Sequence, residues 1–111
     1  LAETAEFNSS KFSAEEIMAG DDEEKRVLAL ISCGMHGEIT WARDFVRGYL
    51  YDGSDAVRGA AAISLGHLFR RCRNESFEEE KEALTNLESS LSHVLSKIRN
   101  ALDDYDAFHS T

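Results

Sequence analysis

The chain has 111 residues, of which 42% are hydrophobic and 30% are charged, and its formal net charge is -9 at pH 7. These values are typical of one folded domain rather than of a disordered protein. No apolar run approaches the roughly 20 residues that cross a bilayer, and the N-terminus lacks the basic start and apolar stretch of a secretory signal. We expect one cytoplasmic domain over residues 1–111, with no membrane contact and with residues 1–12 mobile.

The sequence predicts an all-α fold. It contains no proline, and its apolar residues never alternate with the period of two that marks a strand. Ser13 and Glu16 have the spacing of a capping box at the first helix, and Asp21 and Asp22 are placed to cap the second. The predicted helices span residues 14–19, 22–34, 39–51, 55–71, 76–90 and 95–108.

Apolar residues three and four apart mark the predicted buried face of each middle helix. In the second helix, they are Val27, Leu28, Leu30, Ile31 and Met35, with Gly34 and Gly37 ending the helix. In the third helix, they are Ile39, Ala42, Phe45, Val46, Tyr49 and Leu50. In the fourth helix, they are Val57, Ala61, Leu65 and Leu68.

The last third of the chain carries a heptad pattern. Its apolar residues at intervals of seven are Phe77, Leu84, Leu91, Ile98 and Tyr105. One continuous helix of roughly 33 residues would be about 50 Å long, whereas a compact chain of this length has a radius of gyration of about 13 Å. We therefore expect two helices joined by residues 89–92. An intermolecular coiled coil along this seam, over residues 77–108, is the competing interpretation.

Residues 23–34 and 55–66 repeat each other at an offset of 32 residues. Arg26 corresponds to Arg58, and Gly34 corresponds to Gly66. A weaker copy near residue 98 includes Arg99. An offset of this size equals one helical hairpin, so the chain is predicted to form a short stack of helix pairs.

The fourth predicted helix resembles the second helix of a HEAT-type repeat. The residues that carry the resemblance are Asp55, Val57, Arg58, Ala61, Ala62, Leu65, Gly66 and Leu68. The resemblance implies a short α-solenoid, a right-handed arc of about three helical hairpins. It also implies that Arg26, Arg58 and Arg99 link successive repeats through acidic residues near helix starts, and that the small residues let neighbouring helices approach closely.

Charge alternates along the chain. Residues 1–38 carry nine acids and three bases, residues 39–74 three acids and six bases, and residues 75–111 nine acids and three bases. An acidic surplus repels phosphate backbones and attracts basic protein surfaces, which favours a basic protein as the partner. The simpler interpretation of each cluster, such as Glu78, Glu79, Glu80 and Glu82, is that it solvates a helix start and complements its dipole.

The basic middle third is a candidate nucleic-acid surface. Five of its six arginines contribute, namely Arg43, Arg47, Arg70, Arg71 and Arg73. No aromatic residues are interleaved with them as in a single-strand binder, and cations at a helix C-terminus are expected on structural grounds alone. We predict that the chain does not bind nucleic acid.

No constellation of catalytic or metal-ligating residues is present in the sequence. The four histidines, His36, His67, His93 and His109, lie far apart, and none has a second ligand at helical spacing. Neither a phosphate-binding loop nor a nucleophile elbow occurs. Cys33 aligns with Leu65 and is predicted to be buried, and Cys72 follows two arginines. We expect no enzyme activity, no cofactor, no metal and two free cysteines.

These observations predict a protein that binds another protein. The candidate contact residues are Trp41, Tyr51, Asp52, Asp55, Asp103, Asp104 and Asp106. By analogy of size, charge and HEAT-like fold, the most concrete candidate is a bacterial immunity protein of a contact-dependent growth inhibition system, monomeric or weakly self-associating, that occludes a basic toxin domain. The alternatives are a scaffold that dimerises through the 77–108 seam and an accessory domain of a HEAT-type lyase or repair protein.

Overall fold

A computed structural model of the chain describes residues 14–88 and 95–109. These residues are organised in helices, and the described ranges contain no strand. The predicted all-α class is therefore confirmed. Residues 14–18 are the described part of α1, followed by α2 (Glu23–His36), α3 (Ile39–Arg47), a 3-10 turn (Gly48–Tyr51), α4 (Asp55–Arg71), α5 (Glu78–Glu88) and α6 (Leu95–His109).

Three helices begin at side chains that accept a hydrogen bond from the first turn. Asp22 accepts from the backbone N–H of Lys25, and Ser54 accepts from that of Val57. Glu38 caps α3 in the same way. Each bond satisfies an N–H that has no partner within its helix. Ser13, the predicted mobile segment 1–12 and the predicted connection 89–92 lie outside the described residues.

Helices α2, α4 and α6 lie side by side, with α4 in the middle. The end of α4 lies beside the end of α2, because Arg71 donates to the carbonyls of Gly34 and Gly37. The end of α6 lies beside the end of α4, because His109 hydrogen-bonds the carbonyl of Phe69. The three helices therefore run parallel. Helix α3 packs on α4 and α2, and α5 packs on α6.

Small residues bring the parallel helices close together. Gly34 of α2 lies against Ser64 of α4, and a Cβ at Gly34 would collide with the Ser64 backbone. The buried Ser64 hydroxyl donates a 2.6 Å hydrogen bond to the carbonyl of Leu30. At the other side of α4, Gly66 faces Ala101 of α6. Both contacts allow helix axes to approach more closely than larger side chains would permit.

The predicted buried face of α2 was partly wrong. Leu28 is 66% exposed and Met35 is 44% exposed. The buried residues of this helix are Ala29, Leu30, Cys33 and Gly34. Because α4 covers only one side of α2, apolar residues on the far side stay in solvent. Gly34 does not end the helix either, since it serves the contact with α4 and the helix continues to His36.

The third predicted helix divides in two. The α-helix ends at Arg47, and the remaining residues form the 3-10 turn. Ala42, Val46 and Leu50 are fully buried, as the periodicity predicts. The fourth helix has the predicted bounds, and its predicted core residues are all fully buried. A 3-10 turn tightens a helix end without interrupting its apolar face, so the pattern alone did not reveal it.

The heptad seam is packed inside a single chain. Helices α5 and α6 contact each other, so residues 76–108 do not form one straight helix and the predicted break is confirmed. Phe77, Leu84 and Ile98 of the seam are at most 1% exposed. A coiled-coil dimer through these residues would have to open the core of the monomer.

In the described part of the chain, no helix combines the length and apolarity needed to span a membrane.

Candidate partner-binding surface

Arg26, Asp52 and Arg58 meet at the turn before α4. The Nη2 of Arg26 donates to Asp52 Oδ1 at 3.0 Å, and its Nε donates to the carbonyl of Met18 at 3.3 Å. Arg58 donates to the carbonyl of Asp52 and forms an ion pair with Asp55. Asp52 and Asp55, which were predicted from the sequence to contact a partner, thus form ion pairs with arginines of the same chain. Arg26 ties α2 to the turn that leads into α4.

Glu80 is a buried carboxylate that joins α5 to α3. Its side chain has no exposed surface. Arg43 donates to it at 2.7 Å and 3.3 Å, and Arg47 donates to it at 2.9 Å. The hydrogen bond with Glu80 raises the pKa of the Arg43 guanidinium. The sequence placed Glu80 among acids that solvate a helix start, and this was wrong because the α3 arginines lie directly opposite it.

The remaining arginines of the basic middle third also have partners within the chain. Arg71 binds the carbonyls at the end of α2 at 3.1 Å and 2.6 Å. Arg70 contacts His67 Nδ1 at 2.6 Å and lies 3.6 Å from Asp104. The guanidinium of Arg73 lies 4.6 Å from the ring centre of Phe108, a cation–π contact. Cations that the sequence grouped as one surface therefore serve three separate structural contacts.

Many acids, by contrast, remain on the surface. Within residues 14–88 and 95–109, the exposed carboxylates with neither an ion pair nor a side-chain hydrogen bond are Glu15, Glu16, Asp21, Glu24, Glu75, Glu78, Glu82 and Asp106. They lie at α1 and the start of α2, around the start of α5, and near the end of α6. The fold therefore uses its arginines internally and presents its acidic surplus to solvent.

The two aromatic candidates have different environments. Trp41 stacks on Phe45 with ring centres 4.7 Å apart, and Phe45 meets the edge of Tyr49 at 5.3 Å. This half-buried row packs against the core, so part of the Trp41 ring is already in contact with the protein itself. Tyr51 is 65% exposed at the end of the 3-10 turn. Tyr51 is therefore the better placed of the two for contact with a partner.

The predicted aspartates of α6 do not join those of α4. Asp104 lies beside Gly66, near the end of α4, whereas Asp52 and Asp55 lie at its start, about 16 Å away along the helix. Asp103 accepts from Arg99 at 3.3 Å within α6, so this bond of Arg99 does not link repeats. Asp106 is exposed. The predicted contact aspartates thus form two groups, one at the start of α4 and the other on α6, beside the second half of α4.

Neither the cysteines nor the histidines form a reactive cluster in the described residues. Both cysteines are free, and burial raises the pKa of the Cys33 thiol to about 11. Burial, followed by the charge of Arg70, lowers the pKa of His67. No group of three or more potential metal ligands occurs in the part of the chain that the structure describes.

Comparison with known protein families, curated proteins and solved structures finds no match to this chain. Any function must therefore be inferred from the surface itself. That surface offers exposed carboxylates on several elements, an exposed Tyr51 beside the Arg26–Asp52 bond, and apolar residues on the outer side of α2. These groups suit non-covalent contact with a cationic macromolecule.

Proposed function

We propose that this protein inhibits a basic protein by binding it, and that its helices form three hairpins stacked as a short HEAT-like solenoid. The hairpins would be α1 with α2, α3 with α4 and α5 with α6. The parallel layer of α2, α4 and α6 supports this arrangement. So do Gly34 and Gly66, which are equivalent in the internal repeat and each contact the next helix of the layer.

One observation carries the binding proposal: the arginines are paired within the chain, whereas many carboxylates are exposed to solvent. Arg43 and Arg47 converge on Glu80, and Arg26 is bonded to Asp52. The net charge of -9 is therefore expressed mainly by carboxylates that face solvent. Such a field repels nucleic acid and speeds association with cationic surfaces.

The most concrete form of this function is a cytoplasmic immunity protein that occludes a basic toxin domain such as a nuclease. Carboxylates would occupy the places of substrate phosphates, and inhibition would need neither a cofactor nor a metal. A standard interface takes about 800 Å² from each partner, which is about an eighth of the 6527 Å² accessible surface of this chain.

The experiment is co-expression with a toxin domain encoded beside this gene, with growth as the readout. Two charge-reversed variants then locate the surface, one with Asp21→Lys and Glu24→Lys, the other with Glu78→Lys and Glu82→Lys. Each replaces two negative charges with two positive charges near a helix start, so their costs in helix stability are similar. We expect at least one of them to lower the association rate constant by about tenfold at low salt.

The matched control is Lys97→Arg with Asn100→Ser, which replaces two exposed residues of α6 and leaves the net charge unchanged. The control should retain the rate constant of the unmodified protein. Absence of growth rescue by the unmodified protein would contradict the proposal. An association rate that neither reversed variant alters would also contradict it, since electrostatic steering requires exposed carboxylates to face the partner.

A further inference from the structure

The outer side of α2 carries an apolar stripe that no described residue covers. Leu28, Ser32 and Met35 are spaced four and three residues apart, so they share one face of the helix. Leu28 is 66% exposed and Met35 is 44% exposed, which makes them two of the three large exposed apolar residues in the described part of the chain. We call these three residues the outer stripe.

The internal repeat indicates what kind of element fits the outer stripe. At an offset of 32 residues, Leu28 and Ser32 correspond to Ala60 and Ser64 of α4. Both residues of α4 are buried, and Ser64 contacts α2 directly through its bond to the carbonyl of Leu30. The face of α4 that packs against α2 is thus equivalent, in the internal repeat, to the face of α2 that no described residue covers. The element that completes this contact is another helix running parallel to α2.

On the opposite side of the layer that α2, α4 and α6 form, the outer face of α6 is polar. On the far side of α6, Arg99 and Asp103 are exposed and form an ion pair at 3.3 Å. A polar outer face of this kind is what the last helix of a stack needs in water. Stacking α6 of a second copy onto the outer stripe would place this charged pair against Leu28 and Met35. A head-to-tail second copy is therefore a poor occupant.

The exposed carboxylates beside the outer stripe indicate what type of helix would bind there. Asp21 and Glu24 lie at the start of the outer stripe, are exposed, and have no basic partner among the described residues. Beside them lies an open depression lined by Glu16, Ile17, Gly20, Asp21, Asp22 and Lys25. A helix parallel to α2 would place its first turn here. Basic side chains in that turn, together with the positive end of the helix dipole, would meet the two carboxylates.

We propose that the outer stripe is the docking site for an amphipathic helix of the bound partner, one with basic residues in its first turn and a small residue at the point of closest approach. The occupant would pack on α2 as α2 packs on α4. This inference rests on the proposed function in one respect, because it takes the occupant from another protein.

A peptide based on α2 itself is a suitable probe, because the expected occupant should pack on α2 in the same way as α2 packs on α4. The peptide carries residues 23–37 and is bridged across its solvent face to keep it helical. Four substitutions, Glu23→Lys, Glu24→Lys, Leu28→Lys and Met35→Lys, make it basic and prevent it from stacking on itself. A fifth, Cys33→Ala, removes the thiol that could oxidise. Binding to the isotope-labelled full chain is followed by amide chemical shifts.

We expect shifts centred on Leu28, Ser32 and Met35. Replacing Leu28 and Met35 of the protein with lysine should raise the Kd at least about tenfold. The control Asn74→Lys with Ala107→Lys adds the same two charges at exposed positions away from the stripe and should change the Kd less than about twofold. A peptide in which Gly34→Leu blocks close approach should bind more weakly than its parent.

Several results would overturn the proposal. They are the absence of shifts at roughly 1 mM peptide, shifts on another face, and equal affinity of the Leu28 and Met35 double variant. Self-association of the free protein that this double variant abolishes would assign the stripe to a second copy. Nuclear Overhauser contacts from residues 1–13 to the stripe would assign it to the chain's own N-terminal segment. Growth rescue by the double variant would reject this site while leaving the inhibitor function intact.

Discussion

Gly34 of α2 lies against Ser64 of α4 so closely that even a methyl group at Gly34 would collide with the Ser64 backbone. The Ser64 hydroxyl is fully buried, and its 2.6 Å bond to the carbonyl of Leu30 fixes the two helices in register. Gly66 is the glycine equivalent to Gly34 in the internal repeat. A methyl group at Gly66 would first meet the Asp104 side chain, which can move more easily than a backbone. This difference allows a direct test of the helix layer.

We expect Gly34→Ala to lower the free energy of unfolding by about 2 kcal/mol, because the backbone of α4 must move away. Gly66→Ala should be neutral or stabilising by up to about 1 kcal/mol, because the Asp104 side chain can rotate and alanine favours a helix. Urea denaturation of both variants measures the difference. Equal destabilisation by the two substitutions would contradict the described packing.

The buried Glu80 carboxylate should be essential to stability. Glu80→Ala leaves Arg43 and Arg47 without their shared partner, and removal of one member of a buried ion pair costs about 3 kcal/mol. Glu82→Ala removes the same charge from an exposed position of the same helix and should cost less than about 0.5 kcal/mol. Thermal or urea unfolding checks both values, and similar losses for the two variants would place Glu80 in solvent.

Stability should fall on acidification because of His67. Its pKa in the folded protein is lowered from the ordinary 6.5, first by burial and then by the charge of Arg70. The unfolded chain therefore binds the proton more readily, and the free energy of unfolding rises with pH between the lowered pKa and 6.5. Protonation also removes the Nδ1 acceptor that Arg70 uses.

The variant His67→Asn provides the matching measurement. Its side-chain oxygen can still accept a hydrogen bond from Arg70, but it does not titrate. Urea midpoints at pH 7.5 and pH 5.5 should therefore differ less in this variant than in the unmodified protein. The nearby groups Asp104, Arg71 and His36 are the same in both proteins. An unchanged pH dependence would show that His67 is not its source.

The two cysteines should differ strongly in reactivity. The Cys33 thiol is buried, and its pKa is raised to about 11, whereas Cys72 is half-buried. Since the thiolate is the reactive form, Cys33 should react with iodoacetamide at pH 8 more than about 100-fold slower than an ordinary thiol. In the folded Cys72→Ser variant, labelling should be negligible, and urea should restore it. Rapid labelling of that folded variant would contradict the burial of Cys33.

The sequence by itself determined the local structure of this protein. Helix starts at Asp22 and Ser54 and the bounds of α4 follow from short-range chemistry, namely capping, propensity and the spacing of apolar residues. The internal repeat also made Gly34 equivalent to Gly66, although the prediction that Gly34 ends the second helix was wrong, since α2 continues to His36. These features depend on residues a few positions apart, which is the range over which a sequence pattern carries information.

Only the tertiary structure decided which side of each helix meets a neighbour. Leu28 and Met35 satisfy the periodicity of a core face, yet they are exposed because α2 has α4 on one side only. Glu80 resembles its exposed neighbours in sequence, yet it is buried because Arg43 and Arg47 of another helix meet it. Helical periodicity records that a face is apolar or charged, whereas the presence of a covering element depends on contacts between residues far apart in the chain.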